Sequence, residues 1–146
     1  MENMKNINTK LLTLNNLKVG DLRKETVEIT SEMIQSFINL TKDKALVHVE
    51  PSQAKKMGFD RCIIHGFLVN CGYSRILGMF LPGGNTVIHK IQLDMLLPVY
   101  VGDTITYEVY VDKIITAVRA VQLRLSAVNQ EGKVVNKGTA ICVFRP

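Results

Sequence analysis

The chain has 146 residues, of which 47% are hydrophobic and 6% aromatic, and its formal net charge is +5. This length fits one domain, 1–146, and excludes a catalytic domain joined to a separate cofactor domain. The basic residues are scattered, which argues against nucleic-acid binding but leaves a phosphate-bearing small ligand compatible. Residues 1–10 are polar, lack the apolar core of a secretory signal and are expected to be disordered.

The three cysteines indicate the compartment. Cys62, Cys71 and Cys142 are odd in number, have no CxxC spacing and lie in apolar sequence. Buried, reduced thiols are therefore favoured over a disulfide framework or a zinc site, and we expect a cytoplasmic protein. The most apolar window, 62–81, contains a histidine, an asparagine, an arginine and three glycines, which favours a buried helix over a membrane span.

The N-terminal third predicts a turn, a short strand and a helix. Residues 12–20 form a lead-in that ends in the turn signal Val19-Gly20-Asp21, and 26–30 alternate as a short strand does. Ser31 is the expected N-cap of a helix that continues to about Thr41.

Two further helices are predicted. Residues 43–50 form a loop or short turn, and 51–57 form a brief helix that Gly58 closes. From 64 to 80 the apolar residues lie nearly all round the helix, which is typical of a helix enclosed by other structure. The segment 82–85 ends it.

After Asn85 the apolar period changes to two. Strands are predicted over 87–95, 105–111, 121–127 and 135–144 and are expected to form an antiparallel meander. A sheet that curls round one apolar helix is the α+β arrangement called a hot-dog. Because such a sheet has open edges, we expect a homodimer.

Two pairs of residues carry the candidate chemistry. Asp43 and His48 are separated by four residues, and His65-Gly66 opens the apolar helix. An Asp can hold a water or an imidazole, and a His can transfer a proton near neutral pH. A backbone N–H at a helix start can stabilise a developing oxyanion. These groups suit the addition of water to a polarised double bond.

The order and spacing of five motifs resemble the MaoC-like, (R)-specific enoyl-CoA hydratase family, which has the hot-dog fold. The motifs are Val19-Gly20-Asp21, Asp43-x-x-x-x-His48, Ile64-His65-Gly66, Leu81-Pro82-Gly83 and Pro98-Val99-x-x-Gly102-Asp103.

The resemblance implies a reaction and roles for matching residues. Asp43 and His48 fall on the pair that holds the water added to, or removed from, a trans-2-enoyl thioester. His65-Gly66 falls on the segment whose glycine N–H binds the thioester oxygen. The substrate would be an acyl-CoA or an acyl group on an acyl carrier protein, and no metal or redox cofactor is expected.

This sequence departs from the family pattern at three positions. Ala45 and Leu46 stand where the family usually has Asn and Pro, which should weaken preorganisation of the loop. Cys71 stands where a helix serine is expected to support substrate binding, and Cys is the weaker donor. Two alternatives therefore stay open: a catalytically weak protein that binds or scaffolds acyl thioesters, and a hot-dog thioesterase.

Several residues have simpler interpretations. His65 can also serve only as a hydrogen-bonding residue at a helix start. His89 is predicted on the apolar side of a strand, in the core or at a tunnel edge. Cys71 is more readily a buried packing residue than a nucleophile. Gly102-Asp103 is expected to form a turn, and Gly138 is expected to allow close backbone approach within its strand.

Overall fold

A computed structural model of the protein describes residues 12–146. The prediction of disorder for residues 1–10 lies outside this range. Four α-helices, five β-strands and two short 3-10 turns make up the described part of the chain. The helices are α1 (Ser31–Thr41), α2 (Leu46–Val49), α3 (Pro51–Lys56) and α4 (Gly66–Met79), and the strands are β1 (Leu22–Glu28), β2 (Thr86–Met95), β3 (Thr104–Ile115), β4 (Ala120–Val128) and β5 (Val134–Phe144).

The five strands form one antiparallel sheet in the order β1-β3-β4-β5-β2. The predicted meander is correct for β3, β4 and β5 but wrong for β2, which pairs with β5 at the far edge rather than with β3. The segment 96–103 carries the chain from one side of the sheet to the other. Strand β3 alternates buried and half-buried residues over most of its length, as expected when one face of a sheet covers a core.

Helix α4 lies against this core face. Tyr73, Ile76 and Leu77 of α4 are at most 1% exposed and pack in the same cluster as the inward residues of the strands. The other side of α4 is open: Phe67 is 75% exposed and Cys71 is also exposed. The expectation that α4 is enclosed all round is therefore wrong, because the sheet covers only one side of it.

The predicted burial of the cysteines holds for one of the three. Cys142 is fully buried on β5, whereas Cys62 is half-buried and Cys71 is exposed. Cys71 faces away from the sheet because it lies one helical turn after Phe67, on the same open side of α4. Within residues 12–146, no helix is both long enough and apolar enough to span a membrane.

The start of α1 differs from the prediction by one residue. Thr30, not Ser31, is the N-cap: its backbone is extended and its hydroxyl accepts a hydrogen bond from the Met33 N–H at 3.3 Å. Ser31 is the first helical residue instead. The helix ends at Thr41, as expected, and Lys42 has a φ of 61°, which turns the chain out of the helix.

Strand β2 is an exposed edge strand, so the prediction that His89 lies on an apolar inner side is wrong. His89 is exposed, and the pairing with β5 shifts between Ile88 and Lys90. A bulge at this point breaks the alternation of the strand. The prediction for Gly138 is confirmed, because a Cβ at this residue would lie 1.9 Å from the backbone oxygen of Gln92 on β2.

Candidate active site

The loop between α1 and α2 fixes the Asp43 carboxylate by a local bond. Oδ1 of Asp43 accepts a hydrogen bond from the Ala45 N–H at 3.0 Å, which is an Asx turn. The Asp43 N–H in turn donates to Oγ1 of Thr41 at 3.2 Å. The side chain is exposed, so its second oxygen is left open to solvent or to a ligand.

His48 lies on the short helix α2 rather than in a loop, and its ring orientation is set by the main chain. Nδ1 of His48 is 2.8 Å from the carbonyl oxygen of Ile63. Because a carbonyl can only accept, Nδ1 carries the proton and Nε2 offers a lone pair. A ring in this tautomer can accept a proton at Nε2.

His65 connects the other two residues. It is 2% exposed, and its Nε2 donates to the backbone oxygen of Asp43 at 3.1 Å. Its ring stacks on that of His48 with centroids 3.9 Å apart and contacts Phe37 on α1. Its Nδ1 has no hydrogen-bond partner among the described residues. We refer to Asp43, His48 and His65 as the histidine cluster.

The histidine cluster also contains groups that metals can bind. Asp43, His48 and His65 each offer a nitrogen or oxygen atom, and these atoms lie within 4.8 Å of one another. Two of the ring nitrogens, however, are engaged with backbone carbonyls. The expectation that the reaction needs no metal stays a prediction.

Gly66 is the first residue of α4 and follows His65 directly. The first N–H groups of a helix have no partner within the helix, and the helix dipole adds partial positive charge there. A Cβ at Gly66 would lie 2.2 Å from Sδ of Met95. The absence of a side chain at Gly66 lets the Met95 side chain pack directly against the helix start.

The turn at 98–103 supports the start of α4. The carbonyl oxygen of Val99 accepts a bond from the Ile64 N–H at 2.8 Å. The turn is closed by Asp103, which is 8% exposed and accepts from the Tyr100 N–H at 2.9 Å and from Gln130 at 2.9 Å. The predicted turn at Gly102-Asp103 is confirmed, and it braces the residues immediately before His65.

A cavity of about 290 Å³ lies beside the histidine cluster and the start of α4. His48 and Gly66 both line it, so the structure brings together two of the predicted site residues in one space. The wall is otherwise mainly apolar and includes Phe59, Ile63, Val69, Met95, Leu97 and Val135.

Two asparagines in this wall were missed by the sequence analysis. Asn70 and Asn136 line the cavity, and Asn136 also accepts a hydrogen bond from the buried Tyr73. We refer to Asn70, Tyr73 and Asn136 as the amide network. The position of Asn70 within the apolar 62–81 segment was a sign of this network in the sequence.

Three predicted site residues are not among the described residues that line the cavity: Asp43 and His65, which lie beside it in the histidine cluster, and Cys71. Cys71 lies on the open side of α4. Among the described residues, no contact supports the predicted role of Cys71 in substrate binding.

The chain matches the sequence model of the MaoC like domain over residues 16–132. It is 32% identical over 100 residues to the (R)-specific enoyl-CoA hydratase of Aeromonas caviae, covering 68% of this chain and 75% of that protein. It is 36% identical over 89 residues to the mitochondrial 3-hydroxyacyl-[acyl-carrier-protein] dehydratase of Arabidopsis thaliana, covering 61% of this chain. That match spans about half of the Arabidopsis protein, 52%.

Solved structures agree with the sequence matches. The (R)-hydratase from A. caviae superposes with a TM-score of 0.82 at 29% identity, over 88% of this chain and 98% of that one. An R-hydratase from Pseudomonas aeruginosa gives a TM-score of 0.83 at 27% identity, over 90% and 84% of the two chains. The sheet and central helix described above thus have the predicted hot-dog architecture. The chain belongs to the MaoC-like domain family.

Proposed function

We propose that the protein is an (R)-specific enoyl-CoA hydratase or 3-hydroxyacyl-thioester dehydratase, which adds water reversibly to trans-2-enoyl thioesters. The observation that carries this proposal is the hydrogen-bonded and stacked histidine cluster beside a cavity that begins at the N-terminus of α4. The hydratase and dehydratase names of its relatives support the same reaction class.

In this mechanism Asp43 and His48 hold one water molecule. Nε2 of His48 takes a proton from the water as the water oxygen adds to C3 of the enoyl group, and this proton is then returned to C2. The charge that develops on the thioester oxygen is stabilised by the Gly66 N–H and the helix dipole. Because one water supplies both groups from one side, the addition is syn, and dehydration is the reverse path.

The direct test uses two substrates. Crotonyl-CoA reports hydration as a loss of enoyl absorbance, and a saturated acyl-CoA reports hydrolysis as free thiol. We expect hydration without thiol release. Thiol release without hydration would indicate a thioesterase, and binding without either reaction would indicate a protein that only binds or scaffolds acyl thioesters.

A second copy of the chain is the proposed partner at β2. This edge strand and the residues after it expose apolar side chains, among them Val87, Ile91, Met95 and Leu96, each more than 40% exposed. Antiparallel pairing of two β2 strands would satisfy their open backbone groups and cover this surface. Met95 and Leu96 also line the cavity, so the partner would close one flank of it.

The oligomeric state tests this pairing. We expect a dimer by light scattering after gel filtration, and Ile91→Lys on β2 should give a monomer. Val118→Lys is the matched control, because Val118 is 61% exposed in the turn between β3 and β4, and it should leave the dimer intact. A wild-type monomer would contradict the proposal.

A reducing compartment, the cytoplasm in our proposal, is supported by the cysteines. All three are free thiols, which is the state favoured inside cells. A fluorescent fusion in the source organism would test this location.

A further inference from the structure

Three polar residues join α4 to β5 at the wall of the cavity. The Tyr73 hydroxyl donates to Oδ1 of Asn136 at 2.6 Å, and Nδ2 of Asn136 donates to Oδ1 of Asn70 at 2.9 Å. Tyr73 is fully buried and Asn136 is 2% exposed. A polar group in a mainly apolar wall costs free energy if it has no hydrogen-bond partner. We therefore expect each group of this network to bond either to another group of the protein or to a ligand.

The buried end of the network determines its direction. A buried hydroxyl without an acceptor costs free energy, so the Tyr73 O–H must donate to Asn136. Burial also raises the pKa of Tyr73, which keeps the hydroxyl protonated. The carboxamide of Asn136 is then fixed with its oxygen toward Tyr73 and its nitrogen toward Asn70.

The same reasoning fixes Asn70. Its oxygen is occupied by the Asn136 N–H, so its NH₂ group is the free end of the network. Asn70 is half-buried, and this group has no hydrogen-bond partner within residues 12–146. Asn70 lines the cavity together with Gly66, one helical turn before it. Side chains in a helix lean toward its N-terminus, which directs this donor toward the turn of Gly66.

We propose that Asn70 is a specificity-determining residue, whose NH₂ donates a hydrogen bond to an oxygen atom carried on the acyl chain. The cavity then selects oxygen-bearing acyl groups over plain hydrocarbon chains of the same length. This inference rests on the proposed function, because it takes the acyl thioester as the occupant of the cavity.

The selectivity arises from the cost of leaving a donor unpaired. A hydrocarbon chain packed against Asn70 would remove water from the NH₂ group and return no acceptor. An ether oxygen at the right position accepts a hydrogen bond from the Asn70 NH₂ group and so replaces the lost water. Since an ether is less hydrophobic than a methylene, a preference for it cannot come from the apolar wall.

The experiment compares trans-2-octenoyl-CoA with analogues in which an ether oxygen replaces carbon 5, 6 or 7. We expect one analogue to have a kcat/KM about tenfold higher than the hydrocarbon, within the range that an unpaired buried donor costs. Asn70→Leu, of similar size, should reduce this ratio to one or below. Equal or lower kcat/KM for every analogue with the wild-type protein would overturn the inference.

A pair of matched variants tests the network itself. Tyr73→Phe leaves Asn70 in place but removes the hydroxyl that orients the two amides. The ratio of kcat/KM for the best ether analogue to kcat/KM for the hydrocarbon should therefore fall to about two- to threefold. Tyr110→Phe changes a tyrosine on β3 that is outside the cavity lining and should keep the wild-type ratio. An unchanged ratio in Tyr73→Phe would show that Tyr73 does not orient Asn70.

Failure of the proposed function is detected separately. If the wild-type protein does not hydrate crotonyl-CoA, calorimetric binding of octanoyl-CoA and its 5-, 6- and 7-oxa analogues replaces the kinetic ratio. Tighter binding of one oxa analogue that is lost in Asn70→Leu would support the inference without hydratase activity. Equal binding of all four, or binding of none, would overturn it.

Discussion

The histidine cluster and the amide network lie beside one cavity but are held by different bonds. In the histidine cluster both rings bond to backbone carbonyls, those of Ile63 and Asp43. In the amide network every bond joins two side chains, from elements more than 60 residues apart in sequence. Main-chain bonds persist when neighbouring side chains change, whereas a side-chain network fails when one member is replaced.

This difference suits the histidine cluster to catalysis and the amide network to substrate specificity. A catalytic constellation needs fixed geometry, which the backbone provides. A specificity group can be changed by a single substitution without rebuilding the loop. Ala45 and Leu46, where the family usually has Asn and Pro, fit this picture, because the ring positions of His48 and His65 do not depend on either side chain.

The largest effect is expected from Asp43→Asn. Asparagine retains an oxygen that can accept from the Ala45 N–H, so the loop should keep its conformation while the charge is lost. We expect kcat/KM for crotonyl-CoA hydration to fall by roughly 10²- to 10⁴-fold, with an unchanged thermal midpoint. Asp60→Asn, also exposed and in the loop after α3, is the control, and an active Asp43→Asn protein would remove Asp43 from the mechanism.

A smaller loss is expected from His65→Phe. Phenylalanine can still stack on His48 but cannot donate to the Asp43 carbonyl, so the loop carrying Asp43 should shift. We expect kcat to fall by roughly 10- to 100-fold with little change in KM. His65→Gln can restore a donor at a similar reach and should lose less. Wild-type kcat in His65→Phe would show that the histidine cluster does not depend on this bond.

A substitution that moves the backbone of β5 should disturb the amide network, because Asn136 lies on this strand. Gly138→Ala would push β2 away from β5, because the new Cβ meets the Gln92 oxygen, and Asn136 lies two residues away. The free energy of unfolding should fall by about 1–3 kcal/mol, measured by urea denaturation. Gly78→Ala on α4, where a Cβ meets nothing within 4 Å, should be neutral or stabilising by up to about 1 kcal/mol.

The smallest effect is expected from Cys71→Ser, which restores the residue usual in the family. Because Cys71 is exposed and outside the cavity lining, stability should change by less than about 0.5 kcal/mol. Crotonyl-CoA hydration should stay within about twofold. A larger change in kcat/KM would restore the predicted contribution of Cys71 to substrate binding.

The histidine cluster was predictable because local sequence carries it. Asp43 follows a helix end, His48 follows five residues later, and His65 directly precedes the start of the apolar helix at Gly66. The stacking of His65 on His48 was not predictable, since it depends on how α2 and α4 meet. His65 was expected to bind substrate or simply to hydrogen-bond a neighbour, and its observed contacts are with Asp43, His48 and Phe37.

Most of the sheet followed from periodicity, but its edge did not. Apolar residues that recur with a period of two identified strands β2 to β5, but this period gives no information about which strand pairs with which. The pairing of β2 with β5 rather than with β3 is a tertiary feature that local periodicity does not contain, and the bulge near His89 lies on this edge strand. The amide network is likewise a tertiary feature, because Tyr73 and Asn136 become neighbours only when α4 packs on β5.

In a variant with Cys62 replaced by serine, the contrast between Cys71 and Cys142 gives the protein a selective chemical handle. Burial raises the pKa of the Cys142 thiol to about 12, so at pH 8 it stays protonated and resists alkylation. Cys71 is exposed on α4, the helix that also carries Gly66 and Asn70. A maleimide fluorophore attached there would sit on the outer surface of a cavity-lining helix. Its emission would report occupation of the cavity by a ligand that undergoes no reaction.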